Sequence, residues 1–241
     1  MKIGFTGIDL PEGKTKYRDE TLIALEEKDK AKKVALFFAE FKKDEFVHSD
    51  AIVVPKSNIL DILILDIEKI ETRLSKLDDG SEKTLMTKCM ELLEQETPLC
   101  DGDFNDEEME IMTAFAPISL KPIVQLEGGE DLNTIIALAL EKASYMFFYT
   151  SGPKESHAWL VKKGSEIIAC AEKIHSDLAR GFIKGDVVSF EDYMNCHNFN
   201  DCKSKGLARL VDRDYIVQPN QIIEIRFNVY NGVNKIWLIK M

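Results

Sequence analysis

The chain has 241 residues, of which 45% are hydrophobic and 30% charged, with a formal net charge of −11. That composition belongs to a folded globular protein of one large domain or two modest ones, and excludes a disordered, collagen-like or coiled-coil chain. The longest apolar runs, Ile62-Leu63-Ile64-Leu65 and Ile135 to Leu140, fall far short of the ~20 residues a membrane span needs.

Residues 2–7 predict a short strand ending in Gly7, followed by a polar loop over 8–15. Asp19 is placed to cap a helix over 20–28, with Leu22, Ile23 and Leu25 facing inward. Residues 33–41 and 50–54 are β-rich and predict strands, the second closed by Pro55. Continuous apolar strands interleaved with helices point to a mostly parallel α/β sheet covered on both faces. The clearest helix runs over 58–77, where Ile59, Ile62, Leu63, Ile70, Leu74 and Leu77 recur at three- and four-residue spacing. Asp78-Asp79-Gly80-Ser81 reads as a turn, and 82–96 as a second amphipathic helix. Two such helices joined by four polar residues predict an antiparallel helical hairpin at 58–97. Asn105 with Glu108 three residues on has the form of a capping box for a helix to about 116. A strand at 122–126 and a helix over 131–142 follow.

At 143 both the pattern and the charge change. Residues 1–142 carry a net −13, whereas 143–241 carry +2. Strands at 145–149 and 157–161, a helix capped by Ser165, and strands at 185–190, 215–217 and 222–227 predict an α+β roll of the ubiquitin type. The acidic first part repels nucleic acid, so any contact with a polyanion is expected on the second part.

Gly7 and Gly13-Lys14-Thr15 are the candidate nucleotide-binding residues. A phosphate loop needs G-x-x-x-x-G-K-[S/T] between a strand and a helix, because backbone amides and the lysine must surround the phosphates. Here five residues separate the glycines, and Asp19 caps the next helix. Two readings stand: a degenerate phosphate loop, or a turn of charged residues. No D-x-x-G follows the 33–41 strand and no N-K-x-D occurs in the chain, so a complete hydrolytic apparatus is not expected and no catalytic residue is assigned. The four histidines show no ligand spacing, and no metal site is expected. His175 reads as a hydrogen-bonded core or cap residue. The five cysteines, scattered and without a C-x-x-C pair, read as reduced thiols of a cytoplasmic protein.

Residues 144–229 closely resemble the C-terminal TGS domain of the YchF/Obg-like ATPase family. The matching stretches are 147–155 (Phe-Phe-Tyr-Thr-Ser-Gly-Pro-Lys-Glu), Ala158-Trp159, 173–184 (Lys-Ile-His-Ser-Asp-Leu-Ala-Arg-Gly-Phe-Ile-Lys), 188–193, 214–218 and 226–229. The first part is similar to the same family's nucleotide-binding domain, cut down, through Lys2-Ile3-Gly4, Asp50-Ala51-Ile52-Val53, Leu60 to Leu74 and Lys121-Pro122.

The resemblance implies three parts. These are a truncated P-loop-like parallel sheet with an inserted helical hairpin over 1–142, a TGS β-grasp domain over 143–229, and a C-terminal extension over 230–241. In the extension 235–239 reads as an extra strand, able to pair with a second chain. It further implies a binding or regulatory protein that contacts RNA, the ribosome or a protein partner, with no membrane association. On the TGS domain Lys154, Lys162, Lys163, Arg180 and Lys184 are the candidate contacts, the alternative being ordinary solvated cations. The alternative function is a weak ATPase or GTPase, with ATP or GTP and magnesium as cofactors, acting through Lys14 and Thr15.

Overall fold

The computed structural model describes residues 1–228 and Trp237–Leu238. In chain order the strands are β1 (Lys2–Phe5), β2 (Gly13–Lys16), β3 (Val34–Ala35), β4 (Phe38–Lys43), β5 (Ala51–Pro55), β6 (Ile123–Leu126), β7 (Tyr145–Ser151), β8 (Ser156–Lys162), β9 (Phe182–Val188), β10 (Arg209–Val211), β11 (Ile222–Phe227) and β12 (Trp237–Leu238). The helices are α1 (Glu20–Asp29), α2 (Leu60–Leu74), α3 (Ser81–Glu94), α4 (Asp106–Phe115), α5 (Leu132–Lys142), α6 (Ile167–Ile174), α7 (Ser176–Arg180), α8 (Phe190–Met194) and α9 (Phe199–Ser204). Residues 1–15 and 38–143 form one unit, and 16–37 and 144–241 form the other.

The first unit is built on a five-stranded sheet of order β2-β4-β1-β5-β6. β1 runs parallel to both β4 and β5, and β5 parallel to β6. Ile3, Phe5, Phe41 and Ala51 to Val54 are buried, as expected for strands covered on both faces. α2, α3 and α4 share an apolar cluster with Ile52, Val54 and Ile123, to which α2 gives Ile62, Leu63 and Ile70, and α3 gives Leu85, Met86, Cys89 and Leu93. Arg73 at the end of α2 reaches Glu82 at the start of α3 (2.6 Å), so the chain reverses across 75–80. α4 begins on a complete capping box, Asn105 and Glu108 bonding one another's backbone N–H at 2.9 Å. Asp66 is buried among these helices. Its two carboxylate oxygens accept the N–H groups of Ile118 (2.8 Å) and Ser119 (2.6 Å), which satisfies a short 3-10 turn at Ile118–Leu120.

The second unit has a sheet of order β10-β9-β11-β7-β8-β3. β7 and β8 form an antiparallel hairpin, β9 is antiparallel to β11, and β11 lies parallel to β7 through Ile222 and Tyr149. Strand alternation divides the side chains of β7 between two faces. Met146 and Phe148 join Val161, Val187, Ile223 and Ile225 beneath α6 and α7, which supply Ile167, Cys170, Ala171 and Leu178. A Cβ on Gly185 would sit 2.2 Å from Ile167 Cδ1, so a larger residue there would force the Ile167 side chain of α6 to move. On the opposite face Phe147 stacks with Tyr17 (5.8 Å) and meets Phe37 edge-on (5.2 Å). Tyr149 donates its hydroxyl to Asp19 (2.8 Å). Asp19 is also the N-cap of α1, accepting the Leu22 N–H at 3.1 Å, and α1 buries Leu22 and Leu25. Buried Asp186 on β9 holds Arg226 of β11 through two 2.7 Å bonds, with Lys203 Nζ 3.1 Å away.

Several sequence expectations are corrected. The strand at 33–41 is two strands in different sheets: β3 pairs with β8 in the second unit, and β4 pairs with β1 in the first. The expected first domain, 1–142, contains 16–37, yet this segment packs in the second unit. Its Tyr17, Leu22, Leu25 and Phe37 are the apolar cover for the face of β7 that carries Phe147 and Tyr149. Helix α6 starts at Ile167 after Glu166, not at a Ser165 cap. Residues 215–217 form a single bridge, Glu166 with Ile216, rather than a strand. Of the extension over 230–241, Trp237–Leu238 pairs with β11 of its own chain, and the remainder lies outside the described residues. His175 is a cap residue, as expected: its Nδ1 accepts the Asp177 N–H at 3.1 Å at the start of α7.

Candidate functional site

The residues singled out for nucleotide binding lie in the first unit. Gly7 follows β1 with φ of 70°, and a Cβ there would meet the Asn58 side chain at 3.0 Å. The space beside Gly7 is therefore filled by Asn58. Gly13, Lys14 and Thr15 belong to β2, an edge strand next to β4, with Lys14 exposed. A phosphate cradle needs consecutive backbone amides aimed at one point from a loop that opens a helix. A strand points its amides alternately to either side, and the next helix, α1, already has its first amides capped by Asp19. These four residues do not fit a triphosphate. Among the described residues no cluster of three or more His, Cys, Asp or Glu is arranged to hold a metal ion, and no helix is long and apolar enough to cross a membrane.

The five candidate cations lie in the second unit but do not gather in one patch. Lys154 is at the β7–β8 turn, and Lys162 and Lys163 are at the far end of β8. Seven residues of strand, roughly 20 Å, lie between them. Register carries Lys184 and Arg180 toward the Lys154 end, since β9 opposes β11 and β11 runs with β7. Lys184 pairs with Asp212, and Arg180 with Asp177 at 2.6 Å. Lys162 lies over the Tyr145 ring at 3.8 Å. Lys154 and Lys163 are exposed, and neither side chain has an ion-pair partner among the described residues.

Sequence reasoning did not find a polar cleft in the second unit. A cleft of about 370 Å³ lies between α1, the β7–β8 turn and the α8–α9 segment, and Lys28, Asp29, Ser151, Tyr193, His197 and Asn198 are among its walls. Asp29 Oδ2 accepts the hydroxyls of Ser151 (2.6 Å) and Tyr193 (2.7 Å), and Lys28 Nζ is 3.5 Å from Oδ1. Lys28 also lies over the Tyr193 ring (4.3 Å) and donates to the His197 carbonyl (3.2 Å). Burial, and then the bond to Asp29, hold the Tyr193 phenol above its ordinary range. It remains a donor at neutral pH, so the network offers polar recognition rather than a nucleophile. Lys28-Asp29 and Tyr193 are far apart in the chain, and no local spacing signals their meeting.

His157, on β8, stacks on Trp159 with ring centres 3.5 Å apart, and its Nδ1 is 3.7 Å from Glu155. Burial lowers its pKa, with Glu155 opposing and Lys33 adding to the lowering. The unfolded chain therefore takes the proton first. The stability due to this group is full above the unfolded value of about 6.5 and is lost as pH falls through the folded value. His157→Gln is expected to flatten the decline of stability below pH ~6.5, measured by urea unfolding at stepped pH. An unchanged slope would reject the assignment.

Comparison with known proteins places the second unit. Residues 145–228 match the family model YchF-GTPase_C (protein of unknown function, DUF933). The chain is 35% identical over 136 residues to the ribosome-binding ATPase YchF of Bacillus subtilis, covering 51% of this chain and 37% of that protein. It is 36% identical over 104 residues to Obg-like ATPase 1 of Danio rerio, covering 43% of this chain and 26% of that protein. It thus spans about a third of the length of these relatives. Among solved structures, that of the Schizosaccharomyces pombe YchF GTPase superposes with a TM-score of 0.74 at 15% identity, over 94% of this chain and 97% of that one, so the fold is shared.

Proposed function

We propose a ribosome-contacting protein that does not hydrolyse nucleotide, from a chain whose residues 145–228 match the YchF-GTPase_C family model. The carrying observation is the 35% identity to a ribosome-binding ATPase in a chain where Gly13-Lys14-Thr15 is an edge strand instead of a phosphate loop. The TGS β-grasp reading of 143–229 is supported by the order β10-β9-β11-β7-β8, whose first and last long strands, β7 and β11, are parallel neighbours at the centre. The apolar cluster shared by α2 and α3 supports a helical hairpin within 58–97. Contact is made through exposed cations of the second unit, foremost Lys154 and Lys163, which position a phosphate backbone without reading its sequence.

Purified protein co-sedimented with ribosomes through a potassium chloride series is expected to bind at low salt and to release as salt rises. Lys154→Gln and Lys163→Gln are each expected to weaken binding and reduce the salt slope by about 1. No binding at low ionic strength would remove the proposal. Calorimetric titration with ATP or GTP and magnesium is expected to show no heat of binding. Micromolar affinity lost in Lys14→Ala would instead establish the nucleotide-binding alternative.

A further inference from the structure

An apolar pocket of about 210 Å³ opens on the first unit, beside a 3-10 turn at Leu99–Asp101 and the start of α4. Leu99, Phe104, Met109, Leu120 and Pro122 line it, with Lys142 of α5, which is ion-paired to Asp101. The aromatic wall is fixed in place. Lys88 Nζ lies over the Phe104 ring, 4.7 Å from its centre. Lys88 is held in turn by both carboxylate oxygens of Glu108 (3.0 and 3.1 Å), the residue that closes the capping box of α4. A Cβ on Gly102 would lie 2.7 Å from the Phe104 ring and 2.8 Å from Leu92, so a larger residue there would displace this wall. Leu99 is fully buried and forms a floor, whereas Met109 is 38% exposed at the mouth. Its unbranched thioether adapts to an entering side chain.

The charge around the pocket specifies what enters it. Residues 89–120 carry nine Asp or Glu and no Lys or Arg. Asp101 and Glu108 are paired with Lys142 and Lys88. Asp103, Asp106, Glu107 and Glu110 are exposed and form no ion pair among the described residues. Such a rim repels RNA and other polyanions and attracts a cationic chain. Its like charge also opposes a second copy of this unit. We propose that the pocket is a docking site for a basic protein segment. The segment inserts one large apolar side chain beside Phe104 and Met109, and sets Lys or Arg residues against Asp103, Asp106, Glu107 and Glu110. The anchor removes apolar area from water, and the charges steer and orient its flanks. The inference does not rest on the ribosome-contact reading, which uses cations of the second unit.

The test titrates the full chain into two labelled synthetic peptides and follows fluorescence anisotropy. One has a central phenylalanine between two arginine- and lysine-rich flanks, and the other has alanine at the centre. The phenylalanine peptide is expected to bind about tenfold more tightly, the loss that follows withdrawal of an anchor from its pocket. Both are expected to weaken as potassium chloride rises. Amide exchange of the bound protein is expected to slow over 99–111. Glu107→Gln with Glu110→Gln is expected to weaken both peptides several-fold, and Met109→Lys to remove the preference for phenylalanine. The peptide pair tests the anchor without altering the protein. No binding at low salt, equal affinity for the two peptides, protection confined to another surface, or the same protection produced by an RNA oligonucleotide would each overturn the proposal.

Discussion

Leu25→Ala is expected to lower the unfolding free energy of the second unit by about 3 kcal/mol, within the range for buried leucine truncations that leave an unfilled cavity. Leu25 is fully buried in α1, a helix that covers the β7 face bearing Phe147 and Tyr149. Trp159 packs against this unit's apolar cluster. Its fluorescence during urea unfolding therefore reports the unit's stability. A loss below about 1 kcal/mol, the size expected of a surface change, would show that α1 is not part of the unit's core. Asp19→Ala in the same helix removes an N-cap and leaves the buried Tyr149 hydroxyl without an acceptor, which adds an independent measure of the same packing.

In the first unit the largest single effect is expected at Asp66. Asp66→Ala orphans the two backbone N–H groups of Ile118 and Ser119 inside the helical layer. Each unsatisfied buried donor costs roughly 1–3 kcal/mol, so a loss of about 3 kcal/mol is expected. Asp66→Asn keeps one accepting oxygen and is expected to lose less. Hydrogen exchange of the Ile118 and Ser119 amides checks the cause: both should lose protection in Asp66→Ala well before the β1 and β5 amides do. Equal loss throughout the unit would mean that the carboxylate does not act through that turn.

Much of the architecture is legible in the residue pattern. The Asn105–Glu108 capping box, the Asp19 cap, and the apolar spacing of α2 and α3 are local signals, and the structure forms each of them. Capping depends on residues three or four apart, so the information lies within one turn. The candidate site was less legible. Gly13-Lys14-Thr15 has the composition of a phosphate loop but lies in an edge strand, because composition does not decide whether a lysine is followed by a helix in the same unit. Arg180 and Lys184 read as available cations, yet Asp177 and Asp212 occupy them. The Lys28–Asp29–Tyr193 network gave no signal, since its members come from segments with no common periodicity.

By itself the amino-acid sequence determined the Asp19 and Asn105 caps, the amphipathic runs of α2 and α3, the change of character near residue 143, and the likeness of 145–228 to the YchF C-terminal family model. These properties follow from side-chain periodicity, capping chemistry and ordered local motifs. Only the tertiary structure decided that 16–37 packs in the second unit and that 33–41 divides between two sheets. Burial of apolar area is non-directional. A stretch such as Val34 to Phe41 can cover any exposed apolar face, and long-range packing chooses which one.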